Sequence, residues 1–231
     1  MLELFPEGFE EIERADGLEL VAYTDAGGEE RLWHAFGGVR GEDVAADWRD
    51  RWKRFHRPVQ VGPFWIGPSW HAQPPGATAI VIDPVRAFGT GAHPTTQLCI
   101  ELLLDLDPGS VLDLGSGSGV LAIVAAKRGF APVIALDSDA NAVCATVTNA
   151  VANGVTVDAR RADILEDELP ETDVAIANIT HEALRALAPR VRCKLLVSSG
   201  YLPTDPPECP PFRHIRRITR DGWAADLHEA P

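Results

Sequence analysis

Cysteine is scarce in this chain, and what there is does not pair up: Cys99, Cys144, Cys193 and Cys209 form no C-x-x-C motif. That excludes a thiolate zinc ribbon or a dithiol redox motif and fits reduced thiols in a cytoplasmic protein. The seven histidines lack metal-ligand spacing, so no metal site is expected. No apolar run approaches the roughly twenty residues of a membrane span, and no signal-peptide pattern opens the chain. The expected location is therefore cytoplasmic, with no membrane partner. Basic residues are in deficit, 21 Lys and Arg against 34 Asp and Glu. The deficit is concentrated in residues 1–50, which hold 14 acids and 4 bases. A front end of that sign disfavours nucleic acid and would attract a basic protein. A solvated acidic surface kept for solubility is the alternative. The rest is ordinary globular composition, 45% hydrophobic and 24% charged over 231 residues. That is enough for one large domain or two unequal ones, and a monomer is expected.

Residues 1–41 read as a small α+β piece. Phe9 to Glu13 and Leu18 to Thr24 alternate like two strands, with Ala15-Asp-Gly17 as the turn. Glu29 to Phe36 fits a short helix. So short a piece cannot bury a core of its own. Residues 42–58 form a helical linker, with Trp48 and Trp52 on one face for packing and Arg51, Lys53, Arg54 and Arg57 near its end. Pro58 stops it. Val59 to Trp70 reads as short strands and turns.

From Ala79 strands and helices alternate, which predicts a parallel sheet. The expected helices are Thr95–Leu104, Val120–Arg128, Ala140–Asn153 and His181–Leu187. The expected strands are Ser110–Leu114, Pro132–Leu136, Thr156–Arg160, Val174–Asn178 and Lys194–Ser199. Five prolines between Pro203 and Pro211 forbid a helix of normal length there. Arg213–Thr219 and Trp223–His228, joined by Asp221-Gly222, form a terminal hairpin.

The densest signal is Val111-Leu-Asp-Leu-Gly-Ser-Gly-Ser-Gly-Val120, with Asp137 eighteen residues after Gly119. A strand feeds a glycine loop and a helix, and the next strand ends on a carboxylate. Such a loop lets backbone approach a ligand, and the helix start offers unpaired N–H groups. Asp137 sits where a ribose with two free hydroxyls would lie. Gly117, Gly119 and Ala122 also satisfy the dinucleotide fingerprint, so the loop alone is ambiguous. Asp113, at the end of the first strand, tips the reading. With it, Asp113, Gly115, Gly117 and Gly119 look like motif I of the class I methyltransferases, which bind S-adenosylmethionine. A tight turn without ligand is the bland alternative.

Three further groups converge on the same end of the sheet. Ala87-Phe-Gly-Thr-Gly-Ala-His-Pro-Thr-Thr96 is a loop able to close over a ligand. Phe88, Gly89, Thr90 and Thr96 are its candidate contacts; an N-cap with a glycine turn is the simpler reading. Ala177-Asn-Ile-Thr180 ends a strand, so Asn178 faces the crevice outside the carboxyl ends. A turn asparagine is its alternative. Ser138, Asp163 and Ile164 follow neighbouring strands as ribose and adenine-edge candidates.

Taken in order, A-F-G-T-G-x-H-x-T-T, D-L-G-S-G-S-G and A-N-I resemble the ribosomal protein L-eleven methyltransferase family. Asp47-Trp, Trp52-Lys, Pro58-Val and Ile66-x-Pro68-Ser-Trp70 are similar to that family's linker. The match covers roughly residues 45–200 and touches Gly222-Trp223. The resemblance implies an α/β fold, a Rossmann-like class I methyltransferase sheet over 59–231, mostly parallel with an antiparallel terminal hairpin. In front of it would stand a truncated ferredoxin-like recognition domain over 1–41. It implies transfer from S-adenosylmethionine, leaving S-adenosylhomocysteine, to lysine ε-amines and the N-terminal α-amine of a basic ribosomal protein. Thr96, Gly115, Asp137 and Asn178 match the family's cofactor contacts. Against the family pattern the chain enters near Leu2-Glu-Leu-Phe5, inside the first helix, and carries prolines at 203–211 where the family has a helix. A methyltransferase for another lysine or a small amine, and a cofactor-binding module without activity, are the competing readings. Asn178, orienting the amine, and His93, a candidate base, are the expected catalytic residues.

Overall fold

The computed structural model describes residues 10–14, 17–21, 32–33, 35–36, 57–83 and 91–231. The linker residues 42–56 and the candidate contacts Phe88, Gly89 and Thr90 lie outside them. The chain divides into two units, Met1–Trp52 and Lys53–Pro231. In the first unit β1 (Glu10–Arg14) and β2 (Gly17–Val21) form the expected antiparallel hairpin, Arg14 opposite Gly17. Residues 32, 33, 35 and 36 are helical, within the helix expected over 29–36.

The second unit opens with β3 (Val59–Val61), β4 (Phe64–Gly67) and β5 (Thr78–Val81). β3 and β4 are antiparallel, while β5 adds to β4 in parallel. These strands make a separate three-stranded sheet. Thus the apolar run after Ala79 does not join the main sheet, although the strand–helix alternation read from there suggests that it would.

The main sheet contains β6 (Val111–Leu114), β7 (Val133–Asp137), β8 (Asp158–Arg161), β9 (Thr172–Asn178), β10 (Cys193–Tyr201), β11 (Arg213–Arg220) and β12 (Trp223–Glu229). Its spatial order is β11-β12-β10-β9-β6-β7-β8. The five strands from β8 to β10 run parallel, and β12 is antiparallel to both neighbours. The order reverses at β6, so the loop after it opens into a crevice between neighbouring connections.

Each helix begins and ends for local reasons. α1 (Pro94–Leu104) starts at His93, with proline at its first position, where no N–H is needed. α2 (Val120–Arg128) runs between Gly119 and Gly129, both left-handed, with Lys127 and Arg128 in the last turn. α3 (Ala140–Ala152) is capped by Asp139, whose side chain accepts from the Asn141 N–H. α4 (His181–Leu187) is capped by Thr180.

Because helices cover both faces, the central strands read as continuous apolar runs. One face packs Leu98, Leu102, Ile123, Ile176 and Val197; the other packs Leu112, Leu114, Leu184, Leu187 and Leu196. Fully burying each of these side chains contributes about 1.5–3 kcal/mol relative to exposure.

The proline segment after β10 forms no helix, as its composition demands. Arg217 pins it instead: Nη1 donates to the carbonyls of Pro203 and Asp205 at 2.9 and 2.8 Å. The same guanidinium donates to the buried Asp226 through Nε (2.9 Å) and Nη2 (2.7 Å). Tyr201 Oη also donates to Asp226, and His214 Nε2 lies 2.9 Å from it. Burial alone would push this carboxyl up; the hydrogen bonds from Arg217, Tyr201 and His214 outweigh it and hold the acid below the usual carboxylate range.

Candidate active site

The site begins at the carboxyl end of β6, where Gly115, Gly117 and Gly119 adopt φ of +78°, +55° and +79°. The N–H groups of Gly115 and Ser116 both donate to the Leu136 carbonyl, at 2.9 and 3.1 Å, so the loop turns over the end of β7. Gly119 N donates to Ser116 O at 2.8 Å and closes the turn into α2. A Cβ on Gly119 would lie 2.7 Å from Thr146 Cγ2 and 3.0 Å from Thr146 Cα. Only glycine fits that approach.

Asp137 is fastened to this loop. Its Oδ2 accepts from the Gly117 N–H at 2.9 Å and its Oδ1 from the Asp139 N–H at 2.9 Å. Two such bonds fix the rotamer and leave further lone pairs for a vicinal diol. Asp113 has a different place from the one its motif suggests. It is 1% exposed, and its Oδ2 accepts from the Ala122 N–H at 3.1 Å, inside the first turn of α2. Burial, with the charge of Asp137 adding, pushes its carboxyl up to about 7 despite that bond. Asp113 therefore braces the loop from beneath and presents no carboxylate at the surface.

On the other side of β6, Asn178 ends β9, and its Nδ2 donates to Thr96 Oγ1 at 3.3 Å, a contact spanning 82 residues of sequence. The first turn of α1 and the end of β9 are thereby joined at the same edge of the sheet. His93 caps α1: its Nδ1 accepts from the Thr95 N–H at 3.4 Å and lies 2.8 Å from Thr95 Oγ1. Its ring stands edge-on to Trp223, centroids 4.9 Å apart.

The adenine-side candidates gather beside Asp137. Ala162 N donates to Asp137 O at 2.9 Å, which brings Asp163 and Ile164 next to it. Asp163 Oδ1 accepts from Leu165 N at 2.9 Å in a local turn, and Ile164 packs against the second core face. Ser138 is exposed, its carbonyl held by Arg161 Nε at 3.0 Å.

Sequence reasoning missed Ser116, Thr146 and Asn149. Thr146 Oγ1 donates to Gly117 O at 3.2 Å and meets Ser116 Oγ at 3.2 Å; Asn149 Nδ2 donates to Ser118 O at 2.9 Å. The available signal was polar residues three apart on the inner face of an otherwise apolar helix.

Among the described residues no group of three or more His, Cys, Asp or Glu could hold a metal ion, and no helix is long and apolar enough to cross a membrane. The donor set fits a nucleoside instead. There are a side-chain-free glycine backbone at a strand-to-helix turn and a carboxylate fixed beside it with lone pairs to spare for a diol.

A family model, Ribosomal protein L11 methyltransferase (PrmA), matches residues 26–204. Ribosomal protein L11 methyltransferase of Aeromonas hydrophila is 41% identical over 197 residues, covering 75% of this chain and 65% of the relative. That of Vibrio cholerae is 43% identical over 174 residues, covering 68% and 57%. The chain thus spans less than two thirds of the length of these curated relatives. The crystal structure of ribosomal protein L11 methylase from Lactobacillus delbrueckii subsp. bulgaricus superposes with a TM-score of 0.67 at 28% identity, covering 76% of this chain and 99% of that one.

Proposed function

Because the chain belongs to the ribosomal protein L11 methyltransferase family, we propose that it transfers methyl groups from S-adenosylmethionine to amines of a basic ribosomal protein in the cytoplasm. The carrying observation is the paired arrangement at the carboxyl edge. Asp137 is locked to the Gly117 N–H on one side of β6, and Asn178 is held by Thr96 on the other.

When bound, the cofactor supplies an electrophilic methyl group on a sulfonium. The work of this chain is to hold, orient and desolvate. Asp137 would accept the ribose hydroxyls on the lone pairs that its bonds to the Gly117 and Asp139 N–H groups leave open, and the glycine backbone would let the rest of the nucleoside lie close to the loop. Asn178 has its amide nitrogen engaged with Thr96, so its Oδ1 is the acceptor left to aim an incoming amine. That amine must arrive deprotonated, which costs roughly 4–5 kcal/mol for an ordinary lysine at neutral pH. Burial beside a cation lowers the cost by disfavouring the ammonium form. His93 Nδ1 accepts from the Thr95 N–H, which leaves the ring hydrogen on Nε2 and no free nitrogen lone pair to serve as a base, so its part is to set the start of α1 against Trp223.

The test is incubation with isotopically labelled S-adenosylmethionine and purified ribosomal protein L11, followed by mass spectrometry. Label on lysine or terminal amines supports the reading. Label confined to another protein or to small amines in a parallel panel would move the acceptor assignment. Asp137→Ala is expected to weaken cofactor binding by roughly 1.5–3 kcal/mol, the range for charge-assisted hydrogen bonds. Unchanged affinity by calorimetry in the folded variant would remove Asp137 from the site. Asn178→Ala should lower the transfer rate by a larger factor than it lowers affinity. Equal losses would reduce Asn178 to a binding residue.

A further inference from the structure

The glycine loop has few carbonyl partners within its own backbone. Ser116 O accepts from Gly119 N and Gly119 O from Ile123 N, at 2.8 and 2.9 Å. The two carbonyls between them are supplied by side chains of α3: Thr146 Oγ1 donates to Gly117 O, and Asn149 Nδ2 to Ser118 O. Thr146 is 0% exposed and Asn149 8% exposed, so neither touches a ligand from solvent. One turn further along the same face, Asn153 exchanges two hydrogen bonds with the backbone of Val81, both 2.8 Å. The inner face of α3 and its C-cap Asn153 therefore form a ladder of three polar side chains, and its first two rungs end on the loop.

Building on the cofactor reading above, we propose that Thr146 and Asn149 are positioning residues of the cofactor loop. Gripping its carbonyls from the α3 side keeps the loop in its ligand-ready conformation before anything binds. The physical reason is preorganisation. A run of positive-φ glycines has more conformational freedom than any other backbone, and ordering it on binding would subtract from affinity. Carbonyls already held by buried donors remove that cost. The same contact explains the need for glycine at 119, whose Cα side lies against Thr146.

The experiment compares Thr146→Val, Asn149→Ala and Thr146→Ser with wild type, and uses Thr172→Val as the structural control. Thr172 is also a buried threonine whose hydroxyl holds a backbone carbonyl, Val174 O at 3.0 Å, but it starts β9 at the opposite edge of the sheet. Two readouts are taken on proteins verified as folded. Amide hydrogen exchange of residues 115–119 is measured in the free protein, and S-adenosylmethionine affinity by calorimetry. Thr146→Val and Asn149→Ala are expected to speed loop exchange and to weaken binding about tenfold, the scale of one lost buried hydrogen bond. Thr146→Ser, which keeps the hydroxyl, should stay close to wild type. Thr172→Val should lower the melting temperature without changing either loop readout. Loop exchange and affinity in Thr146→Val matching those of Thr172→Val would overturn the proposal. Should Asn149→Ala fail to fold, Thr146→Val decides the matter by itself. A wild-type protein that bound no S-adenosylmethionine would refute the cofactor reading, while the exchange data would still decide whether α3 orders the loop.

Discussion

Gly200→Ala is expected to lower the thermal midpoint by roughly 5–20 °C, at about 2–4 °C per kcal/mol for a domain of this size. Gly200 lies in β10 at φ +108°, where the register against β12 shifts between Ser199 and Tyr201. A Cβ there would sit 2.1 Å from Ile179 O and 2.7 Å from Ile179 C. Both atoms are backbone, so no rotamer change relieves the overlap. The unfavourable φ costs about 1–3 kcal/mol and the forced shift about 1–3 more. That is a large share of the roughly 5–15 kcal/mol that stabilises a typical domain. The displaced segment is the one following Asn178, bonded to β10 through Ile179 N and Ser199 O at 2.9 Å. Methyl transfer should therefore fall more steeply than stability at temperatures where the variant is still folded. Differential scanning calorimetry checks the first effect, and a midpoint equal to wild type would show that the β9 end yields without cost.

Asp113→Asn is expected to change the pH dependence of stability by up to about 4 kcal/mol. The sign follows from the raised carboxyl. In the unfolded chain Asp113 loses its proton near its ordinary value of 3.8, and in the folded protein near 7. Between those values the folded state holds the extra proton, so raising the pH favours unfolding; above about 7 the full cost of a buried carboxylate remains. The groups that face it are Cys99 of α1, whose thiol burial pushes far up, and Asp137 of β7, whose charge adds to the rise. His228 works in the opposite direction: burial lowers its pKa, so stability is gained as pH rises through its ordinary value of 6.5. The difference between wild type and Asp113→Asn isolates the carboxyl, because asparagine keeps an acceptor for the Ala122 N–H and cannot ionise. Urea denaturation from about pH 4.5 to about pH 8 should show the variant gaining on wild type as pH rises. A constant gap across that range would mean that Asp113 does not carry the proton.

By itself the amino-acid sequence determined the order of elements, the glycine loop and the terminal hairpin. α2 and α4 lie within their expected bounds because Gly119, Gly129 and Thr180 are local signals read within a turn of the helix. The strands β6, β7 and β9 were legible because a strand buried on both faces must be an apolar run. The ends were legible to within two residues, as at β8, expected from Thr156 and found from Asp158. Only the tertiary structure decided what depends on partners far away in the chain. It sent β5 into a separate sheet beside β4, since an apolar run of four residues does not encode which edge it will join. It placed Asp113 beneath the loop, because burial is a property of the neighbours and not of the motif. It joined Thr96 to Asn178 and turned Thr146 and Asn149 from residues of an unremarked helix into partners of the loop. It also decided what holds the 203–211 segment, from which prolines already exclude a helix: the guanidinium of Arg217, which reaches it from a strand that begins only afterwards. Periodicity and turn chemistry act over a few residues and can be read in one dimension. Hydrogen bonds between segments 30 to 80 residues apart exist only once packing has brought their donors and acceptors together.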